Sequence, residues 1–357
     1  MKKKENIMRL SLLDYGRFFA ALFVVIFHYF YSGIANGKVV SIDYMWFSNI
    51  ASYGHFGVQF FFIISGYVIF YSLKDKNSAL FLKSRLKRLY PTYWSAIIFT
   101  SFFALTWGAS SEMSVTILQI FVNFTMLQQF LGVNNIDGVY WTLFYELIFY
   151  GIVFLTLFFG NFKKLLWILI LWPFMIVFMN FIVGKNLVIF NMYFLYFIIG
   201  AMFALLKNQY ISKNISLVVL IFCCFFSFFQ MYQAGIEKNN NIIIVFIIHL
   251  AMIYFFYFLN SEKSSKVDLP FANQVGGMTY PLYLIHAHFG YMFLNKFASN
   301  ENKSIVYSLL ILGVIFISWV MWYVIENKQK KFWDKLFNYL IIPVLKLQNI
   351  RDKKLNL

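Results

Sequence analysis

Long apolar runs recur along this 357-residue chain and constrain its fold more than any other feature. Hydrophobic residues make up 61% of the chain and charged residues 12%, about half the charged share of a soluble domain. Ten runs have the roughly 17–21 residues that a helix needs to cross a bilayer. The sequence therefore predicts an all-α integral membrane protein, a polytopic bundle of about ten transmembrane helices. The ten runs are 12–32, 54–73, 91–107, 141–159, 165–183, 187–206, 214–232, 241–259, 279–297 and 304–324.

The distribution of basic residues predicts how these spans are oriented. The segment 74–90 carries six Lys and Arg residues, whereas the segment 108–140 carries none. If both termini are cytoplasmic, only five of the 30 Lys and Arg residues face outside, as the positive-inside rule requires. This rule also explains the net charge of +16, so we expect a lipid bilayer as partner and no nucleic acid. The basic N-terminus resembles a signal peptide but has no small-residue cleavage site, so we interpret it as part of a retained first span.

Two segments fall outside the ten spans. Residues 114–131 are apolar but contain four Gln and Asn side chains, and we interpret them as a re-entrant or interfacial helix rather than an eleventh span. Residues 327–357 form a basic cytoplasmic tail with interspersed aromatic side chains, which predicts an amphipathic interfacial helix. The two adjacent cysteines, Cys223 and Cys224, cannot build a disulfide framework and are expected to be structural.

Arg17 and His28 occupy the same apolar run and are candidates for a functional site, because ionisable residues within a membrane are costly. Eleven positions at about 100° each leave the two side chains about 20° apart on one helix face and about 16 Å apart along the axis. His28 near the outer end can act as a general base. Arg17 near the inner end is a donor contact or an anchor, and Asp14 can pair with it one turn earlier.

Arg85 and Arg88 lie one helical turn apart just before the third span. Two guanidinium groups on one face suit a phosphate group, which arginine binds through paired hydrogen bonds. The segment is also a plausible positive-inside anchor. The functional interpretation predicts a cytoplasmic ligand that carries phosphate.

Polar residues in three other segments complete the set of candidates. Glu146 lies at nearly the depth of His28, and pairing with His28 would lower the cost of burying the carboxylate. His286 falls near the middle of the membrane, as either a functional or a core histidine, whereas His249 and His288 are expected to be structural. Gln59 and Ser65 belong to a segment rich in small residues, which favour close helix packing.

Five segments together resemble the membrane-bound acyltransferase family 3, the bacterial O-acyltransferases that modify surface polysaccharides. The family's first span has a basic residue and, after ten residues, a histidine, as at Arg17 and His28. The family's other motifs are Gly-Val-x-x-Phe-Phe-x-x-Ser-Gly, Arg-x-x-Arg, Trp-[Ser/Thr]-Leu-x-x-Glu and Ser-Tyr-x-x-Tyr-Leu-x-His. These match residues 57–66, 85–88, 141–146 and 279–286.

The resemblance covers residues 10–326 and has two departures. Thr279 replaces the usual serine, and the Glu-x-Pro that closes many members reads Glu326-Asn327-Lys328 here. The resemblance implies an acyltransferase domain at 1–326, followed by the tail at 327–357. Trp141, Tyr283 and His286 then become substrate-binding or supporting residues through their motif positions.

The family implies transfer of an acyl group, most often acetyl from acetyl-CoA, to a carbohydrate hydroxyl. His28 is then the catalytic residue, Glu146 orients its imidazole, and Arg17, Arg85 and Arg88 bind the donor. Acyl-CoA and a carbohydrate acceptor are the expected partners, in the bacterial inner membrane. We expect no metal and no permanently bound cofactor.

Two other classes would also use many spans and polar cavities. The first is a transporter or flippase for lipid-linked glycans, although the sequence shows no inverted pair of half-sequences with broken helices. The second is a polysaccharide polymerase, which would be expected to carry a larger external loop than 108–140.

Overall fold

The computed structural model describes residues 11–43, 45–73, 77–108, 113–184 and 187–354, and this part of the chain is helical without strands. The basic N-terminal stretch 1–10 lies outside the described residues. The longer helices are α1 (Ser11–Phe27), α2 (Gly57–Tyr71), α3 (Ser78–Trp107), α4 (Ile117–Phe124), α5 (Trp141–Phe159), α6 (Phe162–Ile182), α7 (Phe194–Lys207), α8 (Lys213–Ile236), α9 (Ile242–Leu259), α10 (Ala272–Ile285), α11 (Ala287–Phe297), α12 (Lys303–Met321), α13 (Lys330–Leu340) and α14 (Ile342–Lys354).

Seven helical segments within the described residues are long and apolar enough to cross a membrane. They correspond to seven of the ten predicted spans and confirm a multi-span helical protein. The other three spans, 91–107, 187–206 and 279–297, lie on helices that are interrupted, shorter or partly charged. The number of spans and the sides of the two termini therefore stay predictions.

Helix α3 begins 13 residues before the predicted span, so Pro91 lies inside it rather than at its start. The start is set by Asn77, whose side chain accepts a hydrogen bond from Leu80 N at 2.8 Å. The early start makes Arg85 and Arg88 part of a rigid helix. We call the end of the bundle at which Arg85, Arg88 and Lys330 lie the basic end.

The predicted span 279–297 is broken at His286 into α10 and α11. The carboxylate of Asp137 accepts a hydrogen bond from His288 N at 2.9 Å and so satisfies an amide at the start of α11. Asp137 itself is fully buried. The break places His286 and its neighbours at an irregular point inside the bundle, where side chains can form a site.

Segment 114–131 contains only the eight-residue α4, which is about 12 Å long and too short to span a bilayer. At its C-terminal end, the carbonyl oxygen of Phe124 accepts a hydrogen bond from Trp94 Nε1 at 3.0 Å. Trp94 lies 13 residues before the end of α3 at Trp107, a distance of about 20 Å along the axis. Helix α4 is thus too short to be an eleventh span by itself, and the interpretation of the segment as a re-entrant or interfacial helix stays a prediction.

Helices α2 and α7 pack with their backbones in direct contact. A Cβ atom at Gly66 would overlap the carbonyl oxygen of Phe197, and one at Gly200 would overlap that of Ile63. Small residues allow such an approach between membrane helices. The pair forms a closely packed central element, and Ser65 is part of α2 within it.

The tail forms two helices rather than one, and α13 packs against α3. Lys87 Nζ lies 2.6 Å from Asp334 Oδ1, and this hydrogen bond lowers the pKa of the Asp334 carboxyl. Phe337 is buried, and Ser78 donates to Gln348 Oε1 at 2.9 Å. The tail is thus attached to the bundle by specific contacts in addition to any membrane surface it touches.

Candidate active site

A cavity of about 550 Å³ opens inside the bundle between the basic end and the break at His286. Its wall combines cations, hydroxyl groups, a carboxylate and aromatic rings. Six of the predicted site residues line it, namely Arg17, Ser65, Arg85, Arg88, Glu146 and Tyr283. The sequence therefore identified much of one cavity from residues that are far apart along the chain.

The three arginines of the cavity differ in how far they are already paired. Arg88 donates to Glu326 Oε2 at 3.0 Å, and Arg17 lies 3.8 Å from Asp14, which confirms the expected pair. Arg85 has no carboxylate within ion-pair distance in the described part of the chain. It lies 5.6 Å from the ring centre of Tyr150 instead. Of the three arginines, Arg85 is therefore the most available to an anionic ligand.

Glu146 is bound within the cavity and not to His28. Its Oε1 accepts a hydrogen bond from Ser65 Oγ at 2.6 Å and another from Tyr150. No hydrogen bond joins Glu146 to His28 among the described residues. The pairing expected from their similar depth does not form, because the hydroxyl groups of Ser65 and Tyr150 satisfy the carboxylate instead.

Tyr291 takes the place that was expected for Glu146. Nδ1 of His28 lies 2.5 Å from the hydroxyl of Tyr291. His28 begins a π-helical turn, His28–Ser32, at the end of α1. Such turns are rare and occur frequently at functional sites.

His286 packs against His28, with ring centres 5.0 Å apart. It is fully buried, and its Nδ1 lies 2.8 Å from the carbonyl oxygen of Tyr283. A carbonyl only accepts, so Nδ1 carries the proton and Nε2 presents a lone pair. Nε2 has no hydrogen-bond partner in the described residues, so the second imidazole has a free basic atom beside the first.

Tyr283 connects this histidine pair to the cavity. It lines the cavity, its hydroxyl lies 2.9 Å from Thr142 Oγ1, and its ring centre is 5.8 Å from that of His286. His28 itself does not line the cavity. Two adjacent rings, those of Tyr283 and His286, thus connect the end of the cavity to the predicted base.

The remaining candidates lie near the site without lining the cavity. Gln59 is buried, and its Oε1 has no hydrogen-bond partner in the described residues. Trp141 packs 5.2 Å from Tyr193 in an aromatic cluster. His249 bonds to Ser227 at 3.0 Å, and His288 bonds to the carbonyl of Ile136 at 2.9 Å. Their contacts agree with the structural roles predicted for the two histidines.

Sequence reasoning assigned no role to several residues that complete the site. Tyr150 lies one turn after Glu146, a spacing that predicts a shared helix face. Glu326 is a lone acid at the end of an apolar run, a signal that already marks a candidate. Tyr291 carried no such signal because its contact with His28 depends on the break at His286. The other residues are Thr92, which donates to Glu326 Oε1 at 2.6 Å, and Asp137, Lys330 and Trp333.

The fold and this cavity define a multi-span helical membrane protein with a cation-lined polar cavity inside the bundle. A family model described as an acyltransferase domain matches residues 10–323, which is most of the chain. The chain therefore belongs to acyltransferase family 3, as the five motifs predicted. No curated protein and no solved structure gave a match. The family assignment makes the chain a membrane acyltransferase, and the transporter alternative is not favoured.

Proposed function

We propose that the protein transfers an acyl group, most simply acetyl, from cytoplasmic acyl-CoA to a hydroxyl group of a cell-surface or exported carbohydrate. The observation that supports this most is the shape and charge of the cavity. It begins among arginines at the basic end and ends at Tyr283, next to the His286 and His28 pair.

The donor would enter at the basic end, which the positive-inside rule predicts to be cytoplasmic. Arg85 would bind a donor phosphate directly because no carboxylate of the described residues lies within ion-pair distance of it. Arg17 and Arg88 would add positive charge while Asp14 and Glu326 hold them in place. The extended arm of the donor would then occupy the cavity past Glu146 and bring its thioester to Tyr283.

The chemistry would take place where the donor arm meets the histidine pair. Nδ1 of His28 would donate to Tyr291, which leaves Nε2 free to take the proton of the acceptor hydroxyl. The resulting alkoxide attacks the thioester carbonyl, and the tetrahedral intermediate expels the CoA thiolate. The imidazolium returns its proton to the thiolate, so an ester and free CoA are formed. An acyl-imidazole on His28 that later reacts with the hydroxyl gives the same products.

The ring of Tyr283 must move, or the thioester must pass beside it, before His28 can reach the donor carbonyl. Among the described residues, its hydroxyl is held by one side chain, Thr142, and more weakly by the carbonyl of Val139 at 3.4 Å. Rotation of one tyrosine would join the cavity to the histidine pair. This step would also keep the thioester from water until the acceptor is bound.

The proposed function is tested by comparing surface glycans from cells with and without the gene by mass spectrometry. When the gene is deleted, we expect one glycan to lose the mass of one acyl group for each modified hydroxyl. For an acetyl group this loss is about 42 Da. Complementation with the intact gene should restore this mass. Identical glycan masses in both strains, together with altered glycan export, would favour the transporter class instead.

Replacing Arg85 by alanine should weaken donor binding more than catalysis. A charge-assisted hydrogen bond contributes about 1.5–3 kcal/mol, so we expect KM for acetyl-CoA to rise about 10- to 100-fold with a smaller change in kcat. Arg85→Lys should recover part of the affinity, since it keeps the charge and loses the paired geometry. Lys163→Ala removes an exposed cation that does not line the cavity and should leave KM unchanged. Equal KM values for Arg85→Ala and Lys163→Ala would remove Arg85 from the donor site.

A further inference from the structure

The wall of the cavity continues into the tail, beyond the last residue that the family model matches. That model ends at residue 323, yet Lys330 and Trp333 line the same cavity as the arginines. Both belong to α13, which was expected only to lie on the membrane surface. The mouth of the cavity is therefore built partly from a helix that the family's own motifs do not include.

Specific contacts fix the position of α13 at this mouth. Trp333 Nε1 donates to the carbonyl oxygen of Ile325 at 2.7 Å, and its ring centre lies 6.1 Å from that of Trp94 on α3. The Lys87–Asp334 pair and the buried ring of Phe337 join the same helix to the bundle. The indole is thus held in one place by neighbours on two sides, as a binding surface requires.

The chemistry of these two side chains suits one part of the donor. An indole stacks on the flat face of a nucleobase without reading its identity, and an ammonium group attracts phosphate. Lys330 is exposed and next to the cavity that contains Arg85, whereas Trp333 is partly buried. The cavity deeper in the bundle, around Ser65 and Glu146, offers hydroxyl groups and a carboxylate, which do not suit a nucleotide.

We propose that Lys330 and Trp333 bind the adenosine phosphate portion of the donor at the mouth of the cavity. This inference rests on the proposed acyl-CoA donor and adds the residues that recognise its nucleotide. The tail then acts as a specificity element: donors that carry a nucleotide gain affinity from α13, and donors that carry only the pantetheine arm do not.

Calorimetric binding to the purified full-length protein in nanodiscs tests the proposal without knowledge of the acceptor. The two probes are coenzyme A and pantetheine, which lacks the nucleotide. For the intact protein we expect a lower Kd for coenzyme A than for pantetheine. In Trp333→Ala and in Lys330→Ala, we expect the Kd for coenzyme A to rise at least about fivefold, the lower range for loss of one stacked base, while the Kd for pantetheine stays constant.

Neighbouring residues on α13 provide matched controls. Tyr339 and Lys331 are exposed and do not line the cavity, so Tyr339→Ala and Lys331→Ala should bind both probes as the intact protein does. Trp333→Phe keeps an aromatic face and should recover most of the affinity for coenzyme A. If Trp333→Ala raises the Kd for both probes by the same factor, the tail has a purely structural role and the proposal is wrong. Unchanged affinity of this variant for coenzyme A would also overturn the proposal. Failure of the intact protein to bind coenzyme A at all would instead contradict the proposed donor.

Discussion

We expect His28→Ala to lower kcat for acyl transfer by about 10²- to 10⁴-fold, the range for removal of a general base or nucleophile. His28 is the imidazole whose Nδ1 is held by Tyr291, at 2.5 Å, and whose ring lies against His286. The ring of His286 is held in its own position by the hydrogen bond of its Nδ1 to the carbonyl oxygen of Tyr283, and so does not occupy the place of His28. The measurement is the rate of labelled acyl incorporation into glycan by membranes that contain equal amounts of each variant.

Two further variants separate the chemistry from folding. His249→Ala removes another buried imidazole, which bonds to Ser227 and does not line the cavity, and it should keep nearly full activity per folded molecule. Tyr291→Phe removes the hydrogen bond to Nδ1 and should lower kcat less than His28→Ala does, since the base remains. Full activity in His28→Ala would exclude His28 from the reaction under either the general-base or the acyl-imidazole route.

The largest expected effect on stability is at Gly200, where alanine should prevent the protein from folding. The added Cβ would overlap the carbonyl oxygen of Ile63 and crowd the backbone nitrogen of Tyr67. Overpacking against side chains costs about 1–3 kcal/mol, and here two helix backbones would have to separate. Because α2 carries Ser65, separation would also displace Glu146 from its hydrogen bond. The measurement is the yield of monodisperse protein in detergent and its thermal unfolding temperature.

Gly313→Ala is the matched control because nothing lies within 4 Å of a Cβ at that position in α12. In a helix with free space, alanine is more favourable than glycine by about 1 kcal/mol, so this variant should fold at least as well as the intact protein. If Gly200→Ala and Gly313→Ala unfold at the same temperature, the close contact between α2 and α7 does not determine stability.

The sequence predicted the class of fold because apolar run length is a strong local signal. Helices such as Phe162–Ile182 and Lys213–Ile236 lie within a few residues of the predicted spans. It was less accurate at the helix boundaries. The predicted span 91–107 is the second part of a longer helix, which begins at Ser78 because Asn77 caps it. The break at His286 has no clear local signal, and its stabilisation depends on Asp137, which is 149 residues earlier in the chain.

The candidate site shows the same division between local and long-range information. Helical spacing and membrane depth selected Arg17, Arg85 and Glu146, and the family motif selected Tyr283; these four residues do share one cavity. Similar depth also suggested that Glu146 pairs with His28, and that prediction was wrong because depth carries no information about which helix faces which. The partner of His28 is Tyr291, which follows the helix break and could be identified only in three dimensions.

The most direct test of the central claim uses the purified full-length protein in proteoliposomes, acetyl-CoA labelled on its acetyl group, and glycan extracted from cells that lack the gene. Label in the glycan is measured after base treatment, which releases esters but not amides. The proposal predicts base-labile label with the intact protein and almost none with His28→Ala. Movement of unlabelled glycan across the membrane without acyl incorporation, or equal labelling by His28→Ala, would contradict it.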